Sequence, residues 1–251
     1  MNNHHQARVT KLSLRDALLR VTRLAFTKSP CPIIPKALYK TVRIMPAPLG
    51  KTFVGFDKKY LVEALQRHVE ERKKGSMEGT AAPSFDDLPL LLEGESELAV
   101  SLSDYRGKPL ALFFGSYTSS AFRDGAGRIQ SIYDAHKGDN INFLYIYPSE
   151  AHPTDGWKIE SNEKEGISFR RPRTMEEKFH LAKTAKDAYN LTMPIAVDTL
   201  DDATDEAYGA MPVRCYVIDH DGIVKYQGKR GPFGFDIDAW EAAIQRALAD
   251  R

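Results

Sequence analysis

Ser119, His152 and Asp155 are the residue types of a nucleophile, a base and an acid that orients the base. A serine hydroxyl attacks a carbonyl only when a neighbouring base takes its proton and a third group holds that base in place. Ser119 lies in Phe114-Gly115-Ser116-Tyr117-Thr118-Ser119-Ser120-Ala121-Phe122, and the other two in Glu150-Ala151-His152-Pro153-Thr154-Asp155-Gly156-Trp157. Each has a plainer reading. Serine is a favoured helix N-cap, and a loop histidine can simply hydrogen-bond a nearby aspartate. Sulfur is scarce: Cys31 sits between Pro30 and Pro32, and Cys215 lies inside an apolar run, where free cysteines usually pack as small apolar groups. There is no Cys-x-x-Cys pair, no metal-spaced His/Cys cluster, no phosphate-cradling glycine loop and no nucleic-acid motif. No metal, cofactor or nucleic-acid partner is therefore expected.

The elements that must position these residues alternate from Pro83 onward. Pro109–Gly115 and Ile141–Tyr147 are short apolar runs of strand formers, as in buried parallel strands. Arg128–Ala135 is helix-like between them, which makes a βαβ unit. Met175–Tyr189 has helical spacing and Pro194–Val197 is a third strand. Arg214–Ile218 and Ile223–Gln227 flank Asp219-His220-Asp221-Gly222, whose Asp-Gly end signals a hairpin. Asp236–Leu248 closes the chain as a helix with Trp240, Ala243, Ile244 and Leu248 on one face. Strand, helix, strand, helix, two strands and a helix is the thioredoxin order. An α/β fold with a central mixed sheet flanked by helices is expected over residues 79–251.

Residues 1–78 read as a separate, mainly helical extension. Leu14, Ala17, Leu18, Val21, Leu24 and Ala25 have amphipathic helical spacing, five prolines between Ser29 and Gly50 make a linker, and Asp57 can cap a second helix running to Lys74. In that second helix His68 reads as a packing residue. Residues 1–60 carry twelve Lys/Arg against Asp16 and Asp57, a balance of +10, so the rest must carry −9 to reach the total of +1. Such an extension lies on the acidic remainder or is solvated, the sharper alternative being a surface that meets anionic lipid or nucleic acid. Hydrophobic content of 42% and charged content of 27% are those of a soluble globular chain. No apolar run approaches the roughly 18 residues of a transmembrane helix, and Met1–Arg23 lacks a secretory core. A cytoplasmic protein without a membrane span is the expectation.

On these blocks the chain resembles the iodothyronine deiodinases. That family reads phenylalanine-glycine-serine-cysteine-threonine-selenocysteine-proline-proline-phenylalanine at the turn after the first central strand. Phe114, Gly115, Ser116, Thr118 and Phe122 match it, whereas Tyr117 stands at the cysteine, Ser119 at the selenocysteine, and Ser120 and Ala121 at the prolines. Glu150-Ala151-His152-x-x-Asp155-Gly156-Trp157, Asp198-Thr199-x-Asp201-x-Ala203, Ala207-Tyr208-Gly209-Ala210, Pro212-x-Arg214-x-Tyr216-Val217-Ile218 and Tyr226-Gln227-Gly228-x-Arg230-Gly231-Pro232-x-Gly234 resemble later family blocks, from about Ala82 to Leu248. The resemblance implies Ser119 and His152 at the catalytic positions. It places Tyr117, Thr118, Phe122, Glu150, Trp157, Pro212, Arg214 and Arg230 around a small aromatic substrate. It also implies a thiol reductant if the site is redox-active, and a homodimer as one quaternary arrangement.

Serine alters that expectation. Reductive dehalogenation needs a soft nucleophile that accepts iodine and is then reset by thiols; a hydroxyl is neither soft nor redox-active. Three functions stay open: a deiodinase-like oxidoreductase, a catalytically inactive relative that binds an aromatic ligand or a protein partner, and a Ser119-dependent hydrolase.

Overall fold

The computed structural model describes residues 76–92, 98–232 and 234–250, together with Val62 and Gln66. The chain divides into two compact units, Met1–Glu70 and Glu71–Arg251, and the architecture that follows is that of the second. The helix expected over residues 14–25, the proline-rich linker and Cys31 lie outside the described residues. So does the second expected helix apart from Val62 and Gln66, which are helical.

Five strands form one mixed sheet: β3 (Leu110–Gly115), β4 (Asn142–Tyr147), β5 (Ile195–Val197), β6 (Val213–Ile218) and β7 (Val224–Gln227), in the order β5-β4-β3-β6-β7. β4 runs parallel to β3 and β5 parallel to β4, while β6 and β7 are antiparallel to their neighbours. A two-stranded ribbon, β1 (Leu88–Pro89) with β2 (Ala99–Val100), precedes them. The helices are α1 (Ser120–His136), α2 (Glu160–Lys164), α3 (Met175–Tyr189), α4 (Ala203–Tyr208) and α5 (Ile237–Ala249). This is the thioredoxin-like fold.

The unbroken apolar runs of β3 and β4 follow from burial on both faces. Phe113, Tyr145 and Val217 join Phe122 and Ile129 of α1, Leu181 of α3 and Trp240 of α5 in one core. Phe114, Ile146 and Tyr216 face the other way, onto Phe85, Leu88 and Tyr208. Successive residues of a strand point to opposite faces, so position parity alone decides which core a side chain serves.

α1 begins at Ser120, eight positions before the helical pattern becomes readable at Arg128 (128 − 120). Its first turns carry few large apolar side chains, Phe122 being followed by Gly125, Ala126 and Gly127, so the period is faint there. Gly125 packs closely on α5: a Cβ there would lie 2.6 Å from Ile237 Cδ1, whose side chain would have to shift. The expected hairpin forms, with Asp219 Oδ1 accepting the amides of Asp221 and Ile223 at 3.0 and 2.8 Å and Gly222 at φ +81°. The short helices α2 and α4 carry too few turns to show a period.

Candidate functional site

The turn Ser116–Ser119 leaves the C-terminal end of β3 and enters α1. Ser119 is the N-cap: its hydroxyl accepts the Phe122 amide at 3.4 Å, its own amide donates to Ser116 O at 3.0 Å, and the residue is 2% exposed. The capping reading of Ser119 is thus realised in the structure. The open amides of a helix N-terminus and its dipole favour negative charge at this point.

The loop after β4 laces onto this turn. Glu150 Oε2 accepts the Thr118 amide at 2.8 Å, and Oε1 accepts the Tyr147 hydroxyl, whose oxygen also accepts the Tyr117 amide at 3.2 Å. Ser116 Oγ accepts the Ala151 amide and Thr118 Oγ1 the His152 amide, both at 3.0 Å. Burial pushes the Glu150 carboxyl above the usual carboxylate range, opposed by the hydrogen bonds from Thr118 and Tyr147 and by the charge of Lys178. Lys178 is itself buried and paired with Asp202 at 2.7 Å. Asp202 Oδ1 also accepts the Ser149 amide at 2.9 Å, so this ion pair anchors the start of the loop.

His152 Nδ1 lies 3.1 Å from the Trp157 carbonyl oxygen, with the two rings edge to face at 4.9 Å. A carbonyl only accepts, so Nδ1 carries the proton and Nε2 is left as an acceptor. Burial lowers the imidazole pKa to about 4, the nearby Arg123 charge helping, which makes His152 neutral around pH 7. Asp155 does not orient it: this exposed carboxylate accepts the Arg171 amide at 2.9 Å. The hydrolytic triad suggested by residue type is not assembled.

Tyr117, Thr118, Ser119, Glu150, His152 and Trp157 are therefore brought together, with Phe122 directly beneath. Phe122 is fully buried and its ring stands 6.0 Å from Phe113 and 5.7 Å from Tyr145, so it packs the core under the turn. The Met211–Pro212 peptide is cis and precedes Val213, which pairs with Gly115, so Pro212 lies at the same end of the sheet. Arg214 and Arg230 both reach the end of α4. Arg214 pairs with Phe114 on the second core's face, and both arginines donate to the Gly209 carbonyl, at 3.1 Å from Arg214 and 2.6 and 2.9 Å from Arg230. They close the C-terminus of α4. Cys215 is buried within β6, and burial pushes its thiol well above the ordinary range.

Sequence reading passed over Tyr147, Asn162, Lys178 and above all Arg123, a buried guanidinium on the first turn of α1. Its one visible signal was a cation where the helix dipole disfavours it. Among the described residues no cluster of three or more His, Cys, Asp or Glu side chains is placed to hold a metal, and no helix is long and apolar enough to cross a membrane.

A sheet of this order, with a laced turn at the N-terminus of the helix after its first central strand, defines a thioredoxin-like protein. The iodothyronine deiodinase pattern matches residues 56–247, and the chain belongs to that family. The thyroxine 5-deiodinase of Gallus gallus is 35% identical over 167 residues, 65% of this chain and 60% of that protein. That of Ovis aries is 31% identical over 139 residues, 55% of this chain and 46% of that one. The chain thus spans 60% or less of the length of these relatives. A solved hypothetical protein from Sinorhizobium meliloti 1021 shares the fold at TM-score 0.50 and 18% identity, covering 69% of this chain and 85% of its own.

Proposed function

We propose that Ser119 stands at the position of the family's redox nucleophile, and that this site binds a small phenolic or other aromatic ligand without reductively dehalogenating it. The observation that carries the reading is the state of Ser119: a buried hydroxyl that caps α1, at a site whose turn and facing loop contain no sulfur. Removing iodine reductively needs a nucleophile that takes up the halogen and is then regenerated by thiols, and oxygen does not serve in that cycle. Cys215 cannot substitute, because it is buried in β6 with a raised pKa. The rest of the constellation supports binding. A neutral His152 offers Nε2 to a phenol hydroxyl, Trp157 offers an aromatic face, and the helix N-terminus favours the phenolate.

The test pairs binding with turnover. Titration with an iodinated phenol, thyroxine included, should change the tryptophan fluorescence saturably, while dithiothreitol-driven iodide release stays at the blank rate. Thiol-dependent iodide release by the unaltered chain, abolished by Ser119→Ala, would overturn the proposal and restore the oxidoreductase reading.

A further inference from the structure

Arg123 is the one strongly buried guanidinium next to the turn, with its side chain 4% exposed, and it sits on the first turn of α1. A cation there opposes the helix dipole and loses its hydration, which is tolerated only if its donors are well used. They are. Nε donates to Glu165 Oε2 at 3.1 Å, one terminal nitrogen to Tyr117 O at 3.0 Å, and the other to Asn162 Oδ1 at 2.8 Å. Asn162, also buried, returns its amide to Thr118 O at 2.9 Å. The carbonyls of both residues before the N-cap are therefore satisfied by Arg123 and by the side chain it holds.

Asn162 and Glu165 belong to a loop whose neck is closed where the Thr154 amide donates to Phe169 O at 2.7 Å. Ile159 and Ile167 are buried beneath this loop, and the Tyr117 ring stands 5.6 Å from that of Phe169. Compact loops with closed necks move as units when their few anchors release. The anchors here are the neck, the two isoleucines, the Tyr117–Phe169 contact, the Trp157 carbonyl on His152 Nδ1, and the fork of Arg123 with the Asn162 amide it holds on Thr118 O. Of the fork's partners Glu165 is 51% exposed, so that arm is the one water can compete for.

We infer that Arg123 is a positioning residue that holds the loop Thr154–Phe169 closed over the turn Tyr117–Ser119, and that a ligand reaches position 119 only when this fork lets go. The inference concerns access and holds whether the site binds or reacts.

The new thiol of Ser119→Cys serves as the reporter. Its alkylation by iodoacetamide is followed against pH to the plateau where it is fully ionised, with buried Cys215 as internal control. Adding Arg123→Met should raise the plateau rate about tenfold or more and also raise the thiol's apparent pKa, because a nearby cation is lost, while Cys215 stays as slow as before. Glu165→Gln should raise the plateau rate by a few-fold, and it decides the matter if Arg123→Met does not melt cooperatively. An unchanged plateau rate in the folded variant, or a parallel rise at Cys215 showing general loosening, overturns the inference.

Discussion

A hydroxyl at position 119 meets the field that would hold a thiolate there: the open amides of α1 and the charge of Arg123. Serine has no acidity near neutral pH for that field to act on, so the group settles into capping. The same surroundings act visibly on His152, a residue that does titrate. Its folded pKa of about 4 lies below its ordinary value of 6.5 because the charged form is desolvated. Between those two values the unfolded chain binds a proton that the folded chain refuses. Stability is therefore complete above about pH 6.5 and falls as pH drops toward 4, by up to roughly 3 kcal/mol over the window. His152→Gln removes the titration, so its Tm should vary less with pH between 4 and 6.5 than that of the parent; curves that run parallel would show that the imidazole is not held neutral by burial. At this scale the sequence displayed Ser119, Glu150 and His152 clearly, because their types and motif neighbours mark them. Arg123 was not legible, since an arginine between Phe122 and Asp124 reads as a solvated position until the loop that covers it is seen.

Strands proved the most readable elements, because burial on both faces writes a nearly continuous apolar run into β3 and β4, and into β6 apart from Arg214. Helices with mixed or few turns were less so, and α4 shows why. It has six residues and is held by charge at both ends: Asp198 accepts the amides of Thr204 and Asp205 at 3.3 and 2.8 Å, while Arg214 and Arg230 close the far end on Gly209. The Arg214 and Arg230 blocks were visible as motifs, but the register that turns Arg214 to the second core's face was not. Inside this helix Asp205 is buried, and its Oδ1 has no hydrogen-bond partner among the described residues. Burial, with the charges of Asp202 and Asp198, raises its pKa from 3.8 to about 7. The sign is opposite to that of His152: the folded state holds this proton more tightly, so the contribution is favourable at low pH and is lost as pH rises through about 7. Asp205→Asn should consequently be more stable than the parent at pH 8 than it is at pH 4, with a gap of up to roughly 4 kcal/mol by denaturant titration. An equal difference at both pH values would mean that the buried carboxylate is already compensated.

Across the whole second unit, residues 76–92 tie the sheet together from edge to edge. At β7 the Gly79 amide donates to Val224 O at 2.8 Å, the Val224 amide to Thr80 O at 2.9 Å and the Ala82 amide to Gly222 O at 2.9 Å. Gln227 accepts the Met77 amide at 2.8 Å and donates its own amide to Glu78 at 3.0 Å. The segment then crosses the second core with Phe85 and Leu88, and reaches the opposite edge, where the Leu91 amide donates to Ile195 O at 2.8 Å. Both edge strands are thereby covered, which matters because an open edge invites pairing with another copy. The expected boundary at residue 79 falls inside the part that covers β7. A fragment beginning at Ser76 should therefore melt cooperatively and stay monodisperse at moderate concentration. One beginning at Ala82 gives up the backbone pairing with Val224 and the contacts to Gln227, a loss of roughly 2–4 kcal/mol at about 1 kcal/mol per exchanged hydrogen bond. It should melt lower and associate as concentration rises, because β7 is left bare. A fragment beginning at Gly79 keeps the Val224 pair but loses the Gln227 contacts, the Thr80 hydrogen bonds to Met77 O and the packing of Met77, so its Tm should fall between the other two. Thermal melts and size-exclusion profiles of the three fragments at matched concentrations check this, and equal melting temperatures for the Ser76 and Ala82 starts would show that the segment contributes nothing to holding the edge.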